Sequence, residues 1–228
     1  SGSGKPAKQS TLAYRPTYVT NAVGFNGLPV VQFDGTDDDI TSSLDFNATN
    51  LPNVTLFIVY KQLEKTGNAG LWGHDDGGWD RMQLLCNNGT YYQIATAGNA
   101  VSVKGMETNK VALYTAVLRN GVANGSYVYI NGQSDATHGL PAFTSTELSG
   151  QANFTLGNIS SGNGYRGAVQ IGEVMVFDSA LSDAVRANVA DYLSAKWKGE
   201  TSDAGVSLAA GSVLNLEGMA HTLSSVSG

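Results

Sequence analysis

Short apolar runs, separated by glycine, asparagine and aspartate, fill most of the chain, and the strand-like runs predict one fold class. "VTLFIVYK" (54–61) is β-branched or aromatic almost throughout, which predicts a strand covered on both faces. "RMQLLC" (81–86) and "TYYQIAT" (90–96) flank "NNG", the chemistry of a tight hairpin. "VALYTAVLR" (111–119) and "SYVYING" (126–132) predict a second pair around "NGVANG". "LPVVQFDGTDDDI" (28–40) breaks at Asp34-Gly35, and "NFTLGN" (153–158) and "AVQIGEVMVF" (168–177) complete the set. Strands without alternating helices predict an all-β protein, a sandwich of two antiparallel sheets.

The period changes once, after residue 181. Ser182 is a suitable N-cap with Asp183 in the first turn, and Lys196 and Lys198 precede Gly199 at the other end. Val185, Val189, Tyr192 and Leu193 recur at helical spacing, so one C-terminal helix is expected to cover a sheet edge or an open end. Upstream, Glu173 alternates in phase with Val169, Ile171, Met175 and Phe177, which predicts a carboxylate paired on a mostly apolar face. Residues 200–228 are small and Gly/Ser-rich with spaced leucines, as in a rung of a β-solenoid, which cannot bury its apolar face alone. The organisation expected is one domain over 1–199, then a linker and β-strand repeat over 200–228.

Composition narrows the function classes. A net charge of −6 and no basic stripe argue against nucleic acid and anionic membrane surfaces as partners. No run approaches the roughly 20 apolar residues of a membrane span. Cys86 is the single cysteine, so no disulfide can form within the chain, and its phase with Met82 and Leu84 predicts a buried thiol.

"RPTY…NGLPVVQFDGTDD" and "GEVMVFDSALSD…YLSAKW" resemble the laminin-G-like branch of the concanavalin A-like lectin/glucanase superfamily, and the likeness extends over most of residues 8–198. The resemblance implies a jelly-roll sandwich with one helix after its last long strand. It also implies an extracellular or bacterial cell-surface location within a large exported protein. Two departures stand out: the chain opens at "SGSGK" where the family has a tryptophan-bearing strand, so that strand is expected to be missing, and Asp39 replaces the usual aromatic after "DGTDD". The tail resembles autotransporter-associated β-strand repeats, which implies a neighbouring β-solenoid region.

Hydrolases of this superfamily place carboxylates at alternate strand positions so that two share a face, and retaining glycosidases need them about 5–5.5 Å apart. Glu64, Glu107, Glu147 and Glu173 have no such neighbours, so an enzyme is not expected. The loop "LWGHDDGGWDRM" (71–82) offers Trp72 and Trp79 for stacking on sugars and His74, Asp75, Asp76, Asp80 and Arg81 for hydroxyl groups; a solvated loop with one tryptophan in the core is the alternative. Tyr127 and Tyr129 share the face opposite Val128 and Ile130 and can line a ligand platform or simply pack across strands. Asp37, Asp38 and Asp39 crowd carboxylates that Ca²⁺ can use, although a purely structural turn explains them as well. The expected function is a non-catalytic carbohydrate-binding or adhesion module whose partner is a glycan or cell-surface polysaccharide. A structural spacer without a ligand and a glycoside hydrolase are the alternatives.

Overall fold

Among the described residues, turn chemistry separates fourteen strands: β1 (Ala7–Lys8), β2 (Thr17–Val19), β3 (Val30–Asp34), β4 (Ile40–Asp45), β5 (Asn53–Gln62), β6 (Ala69–Gly73), β7 (Met82–Asn87), β8 (Tyr91–Thr96), β9 (Asn99–Lys104), β10 (Val111–Arg119), β11 (Tyr127–Ile130), β12 (Gln133–Ser134), β13 (Asn153–Leu156) and β14 (Ala168–Phe177). The α-helix α1 (Asp183–Lys198) follows. A computed structural model describes residues 5–200 except 65–66, 78–79, 88–90, 97–98, 105–107, 135–141, 146–152 and 162–163. The predicted repeat segment therefore lies outside the described residues.

The strands form two seven-stranded sheets. Sheet A has the order β1-β4-β13-β6-β7-β8-β9 and sheet B the order β12-β11-β10-β5-β14-β3-β2. Every neighbouring pair is antiparallel, as the jelly-roll expectation requires. The two hairpins expected from "NNG" and "NGVANG" are the β7–β8 and β10–β11 pairs. Asp34-Gly35 does something else: β3 belongs to sheet B and β4 to sheet A, so this turn carries the chain from one layer to the other.

β5 sits at the middle of sheet B and is buried from Val54 to Gln62, which explains its unbroken apolar sequence. Its alternate side chains serve two cores. Leu56, Ile58 and Tyr60 face sheet A, meeting Leu71, Trp72, Leu85 and Phe154 in the sandwich interior. Phe57 and Val59 point outward into a second core closed by α1. Full burial of a leucine or isoleucine is worth roughly 1.5–3 kcal/mol, so both faces contribute to stability.

The helix lies on the outer face of sheet B, a correction to the expected edge or open end. The reason is the apolar outer row of Phe57, Val59, Leu113 and Met175, which would otherwise face water. The buried stripe is Ala190, Leu193 and Trp197, with Val189 and Tyr192 partly covered and Val185 exposed at 45%. The Trp197 ring meets Phe25 edge-on at 6.1 Å. Ser182 caps the helix by accepting from the Val185 N–H at 3.4 Å, and Gly199 ends it with φ 67°, the left-handed turn that glycine adopts without strain. Thr55 fixes the approach, since its hydroxyl donates to the Ser179 carbonyl at 2.8 Å and accepts from the Leu181 N–H at 3.0 Å.

Glu173 is paired as expected, but its neighbours differ from those the alternation predicts. The register of β14 slips between Ile171 and Glu173, so Val169 and Ile171 belong to the sandwich core while Met175 and Phe177 belong to the helix side. Glu173 follows the latter, accepting from Lys196 at 2.9 Å and from the indole N–H of Trp197.

Candidate functional site

The aspartate loop between β6 and β7 is built inward. Trp72 and Arg81 are fully buried. The Trp72 ring lies among Phe46, Phe154 and Tyr114, with centroids 5.4, 5.9 and 6.4 Å away. It has no face to offer a sugar, which corrects the stacking role expected for it. Arg81 reaches away from solvent and donates to the carbonyl oxygens of Phe46 (3.3 Å), Leu51 (2.6 Å) and Pro52 (3.2 Å). It ties this loop to the turn ahead of β5. His74 is also fully buried, against Phe46 at 5.8 Å. These residues are unavailable to an external ligand, because the indole, imidazole and guanidinium that looked like a polar rim are supports of the core.

The carboxylates of this loop bond to its own backbone. Asp75 accepts from the Asp80 N–H at 3.1 Å, and Asp80 accepts from the Asp76 N–H at 3.2 Å. Asp75 and Asp80 are buried, and Asp76 is exposed. Burial, reinforced by the carboxyls of Asp76 and Asp75, pushes the Asp80 carboxyl up to about 6 against the opposing Asp76 N–H. Trp79 lies outside the described residues.

The three carboxylates offered as candidate Ca²⁺ ligands separate. Asp37 and Asp38 come together with Asp34, with oxygens within 4.8 Å of one another, and this is the one such group among the described residues. Asp39 turns away and accepts from the Gln9 amide at 2.7 Å. Asp34 is the member that sequence reasoning missed. Its carboxylate folds over the turn and accepts from Thr36 N–H at 2.7 Å, the Asx-turn geometry that brings residues three and four positions on back beside it. Burial, followed by the acidic neighbours, raises the Asp38 carboxyl above its ordinary range despite the Asp34 N–H.

A different surface is open to solvent. Tyr127 and Tyr129 project from β11 on the outer side of sheet B, rings 6.3 Å apart and tilted by 31°. Tyr127 is 37% exposed and Tyr129 8%. The guanidinium of Arg186, on the second turn of α1, lies 4.0 Å from the Tyr129 ring centroid and donates to Asp183 at 3.0 Å. Burial raises the Tyr129 hydroxyl above its ordinary value, with Arg186 opposing. The two tyrosines predicted from alternation are thus brought together, and the helix adds Arg186 and Asp183. The i,i+3 spacing of that pair was visible in the sequence, but not the strand it would face.

The family's sequence profile matches residues 22–185 under the description concanavalin A-like lectin/glucanases superfamily. The chain belongs to this superfamily. No curated protein matches the chain in sequence. Among solved structures, this concanavalin A-like domain is similar to the receptor binding domain of botulinum neurotoxin C/D mosaic serotype, with TM-score 0.58 and 12% identity over 82% of this chain and 46% of that one. The botulinum neurotoxin type G receptor binding domain gives TM-score 0.51 and 11% identity over 79% and 47%. A Trypanosoma rangeli sialidase in complex with sialic acid gives TM-score 0.52 and 16% identity over 72% and 27%. The chain spans less than half the length of these proteins. Binding domains and an enzyme share the architecture, so the likeness fixes the fold and leaves chemistry to the site.

Proposed function

We propose that this concanavalin A-like domain is a non-catalytic carbohydrate-binding or adhesion module of an exported bacterial surface protein, and that it holds glycan at the Tyr127–Tyr129–Arg186 surface. The observation that carries this reading is the exposed Tyr127 ring beside Tyr129, whose position is braced by Arg186 from the helix. Aromatic faces stack on the apolar faces of sugar rings, while a guanidinium and a carboxylate supply hydrogen bonds to hydroxyl groups. A module that only binds fits the acids: Asp34 and Asp38 in one turn and Asp75 and Asp80 in another each accept from their own backbone. The proposed cell-surface setting rests on the family motifs alone.

A glycan array probed with the 228-residue chain and with Tyr127→Ala tests the reading. Signal that disappears in the variant, with an unchanged melting temperature, supports it. A blank array for the native chain would leave the spacer reading, and release of reducing sugar from any bound polysaccharide would replace binding by hydrolysis.

A further inference from the structure

Beside this surface, between β10, β11 and the first turns of α1, lies a cleft of about 40 Å³ lined in part by Thr115, Tyr129, Gly132, Asp183 and Arg186. That is room for a few water-sized groups. Thr115 stands directly across from Tyr129 in the β10–β11 pair, so both side chains occupy the outer face of sheet B. Thr115 is only 1% exposed, and its hydroxyl has no hydrogen-bond partner. A buried hydroxyl left unpaired is costly and uncommon, and Thr115 is one of the residues lining the cleft beside the proposed binding surface.

We infer that the cleft is a subsite for the hydroxymethyl group of a neutral hexose. This inference rests on the glycan-binding reading and makes it narrower. A sugar ring lying along Tyr127 and Tyr129 can direct a primary alcohol toward the Thr115 hydroxyl, which serves as both donor and acceptor. The walls carry one guanidinium and one carboxylate already paired with each other at 3.0 Å, so the cleft presents no net charge. Such a lining favours a neutral polyol over an acidic sugar, whose carboxylate would have to compete with Asp183 for Arg186. The small volume admits a hydroxymethyl branch and excludes a second ring. Pentose chains, which lack that branch, leave the Thr115 hydroxyl unpaired.

Calorimetric titration of the native chain with cellohexaose, mannohexaose, xylohexaose and hexagalacturonate tests the subsite. At least one of the two neutral hexose hexamers should bind about tenfold more tightly than xylohexaose and hexagalacturonate, the effect of one added hydrogen bond. Thr115→Val, nearly identical in shape, should erase that preference while retaining the affinity for xylohexaose. Thr115→Ser should restore it. Tyr127→Ala should weaken every ligand that binds. A preference that survives in Thr115→Val, or its absence in the native chain, overturns the subsite and leaves the glycan-binding reading standing. Tyr127-dependent array binding confined to acidic or pentose glycans does the same. Array signal indifferent to Tyr127→Ala overturns the reading itself. Melting temperatures of both Thr115 variants establish that each is folded.

Discussion

Gly172 and Trp197 share space that a single added carbon would claim: a Cβ on Gly172 would lie 2.6 Å from Cζ3 of the indole. The helix reaches the sheet this closely because β14 has no side chain there. Gly172→Ala is expected to push Trp197 outward and destabilise the domain by about 1–3 kcal/mol. Urea denaturation followed by tryptophan fluorescence measures this. In combination with Trp197→Leu, the cost of Gly172→Ala should largely vanish, since the two changes remove one contact.

Asp80 sets a pH dependence. Its folded-state value of about 6 exceeds the ordinary 3.8, so the folded chain holds this proton more tightly than the unfolded one. The associated stability is full below pH 4 and is lost as pH rises through about 6, on the order of 2–3 kcal/mol in all. Asp80→Asn should flatten this segment of the melting-temperature curve. Parallel curves for the variant and the native chain would reject the assignment.

Arg81 joins two loops by donating to three carbonyls. Arg81→Met leaves those oxygens without their donor and should cost about 3 kcal/mol or more. Arg81→Lys, which cannot fork to several acceptors at once, should fall between the variant and the native chain. Denaturant midpoints give the order directly.

The Asp34 turn is closed by its own bonds: Asp34 accepts from Thr36 N–H at 2.7 Å, and Asp38 accepts from Asp34 N–H at 3.0 Å. EDTA is therefore expected to leave the melting temperature unchanged. A fall of several degrees that Ca²⁺ reverses would instead make Asp34, Asp37 and Asp38 metal ligands.

Local chemistry made much of the fold legible. β5, the two hairpins and the capped ends of the helix follow from β-branched runs, Asn/Gly turns and Ser182, each of which acts within a few residues of itself. The site was less legible because its members meet across the chain. Trp72 and Arg81 looked like rim residues from their polar neighbours, yet Phe46 and the carbonyl of Leu51 draw them inward. Tyr127 and Tyr129 could be placed on one face by alternation, whereas Arg186 arrives only because Thr55 anchors Ser179 and Leu181 on the sheet. The alternation that placed Glu173 failed at one position, since nothing in "QIGEV" alone distinguishes a bulged glycine from a paired one.

That extra residue in β14 works as a switch of sides within a single strand. It lets Ile171 pair with Tyr60 on the inside and Glu173 pair with Val59 on the outside; in unbroken alternation with Gly172 paired, Glu173 would follow Ile171 inward, stranding a carboxylate in hydrocarbon and leaving Trp197 without its acceptor. Deletion of Gly172 should therefore harm the domain less than a bulky substitution there, because the shortened strand keeps each side chain on its present face while a bulky one collides with the indole.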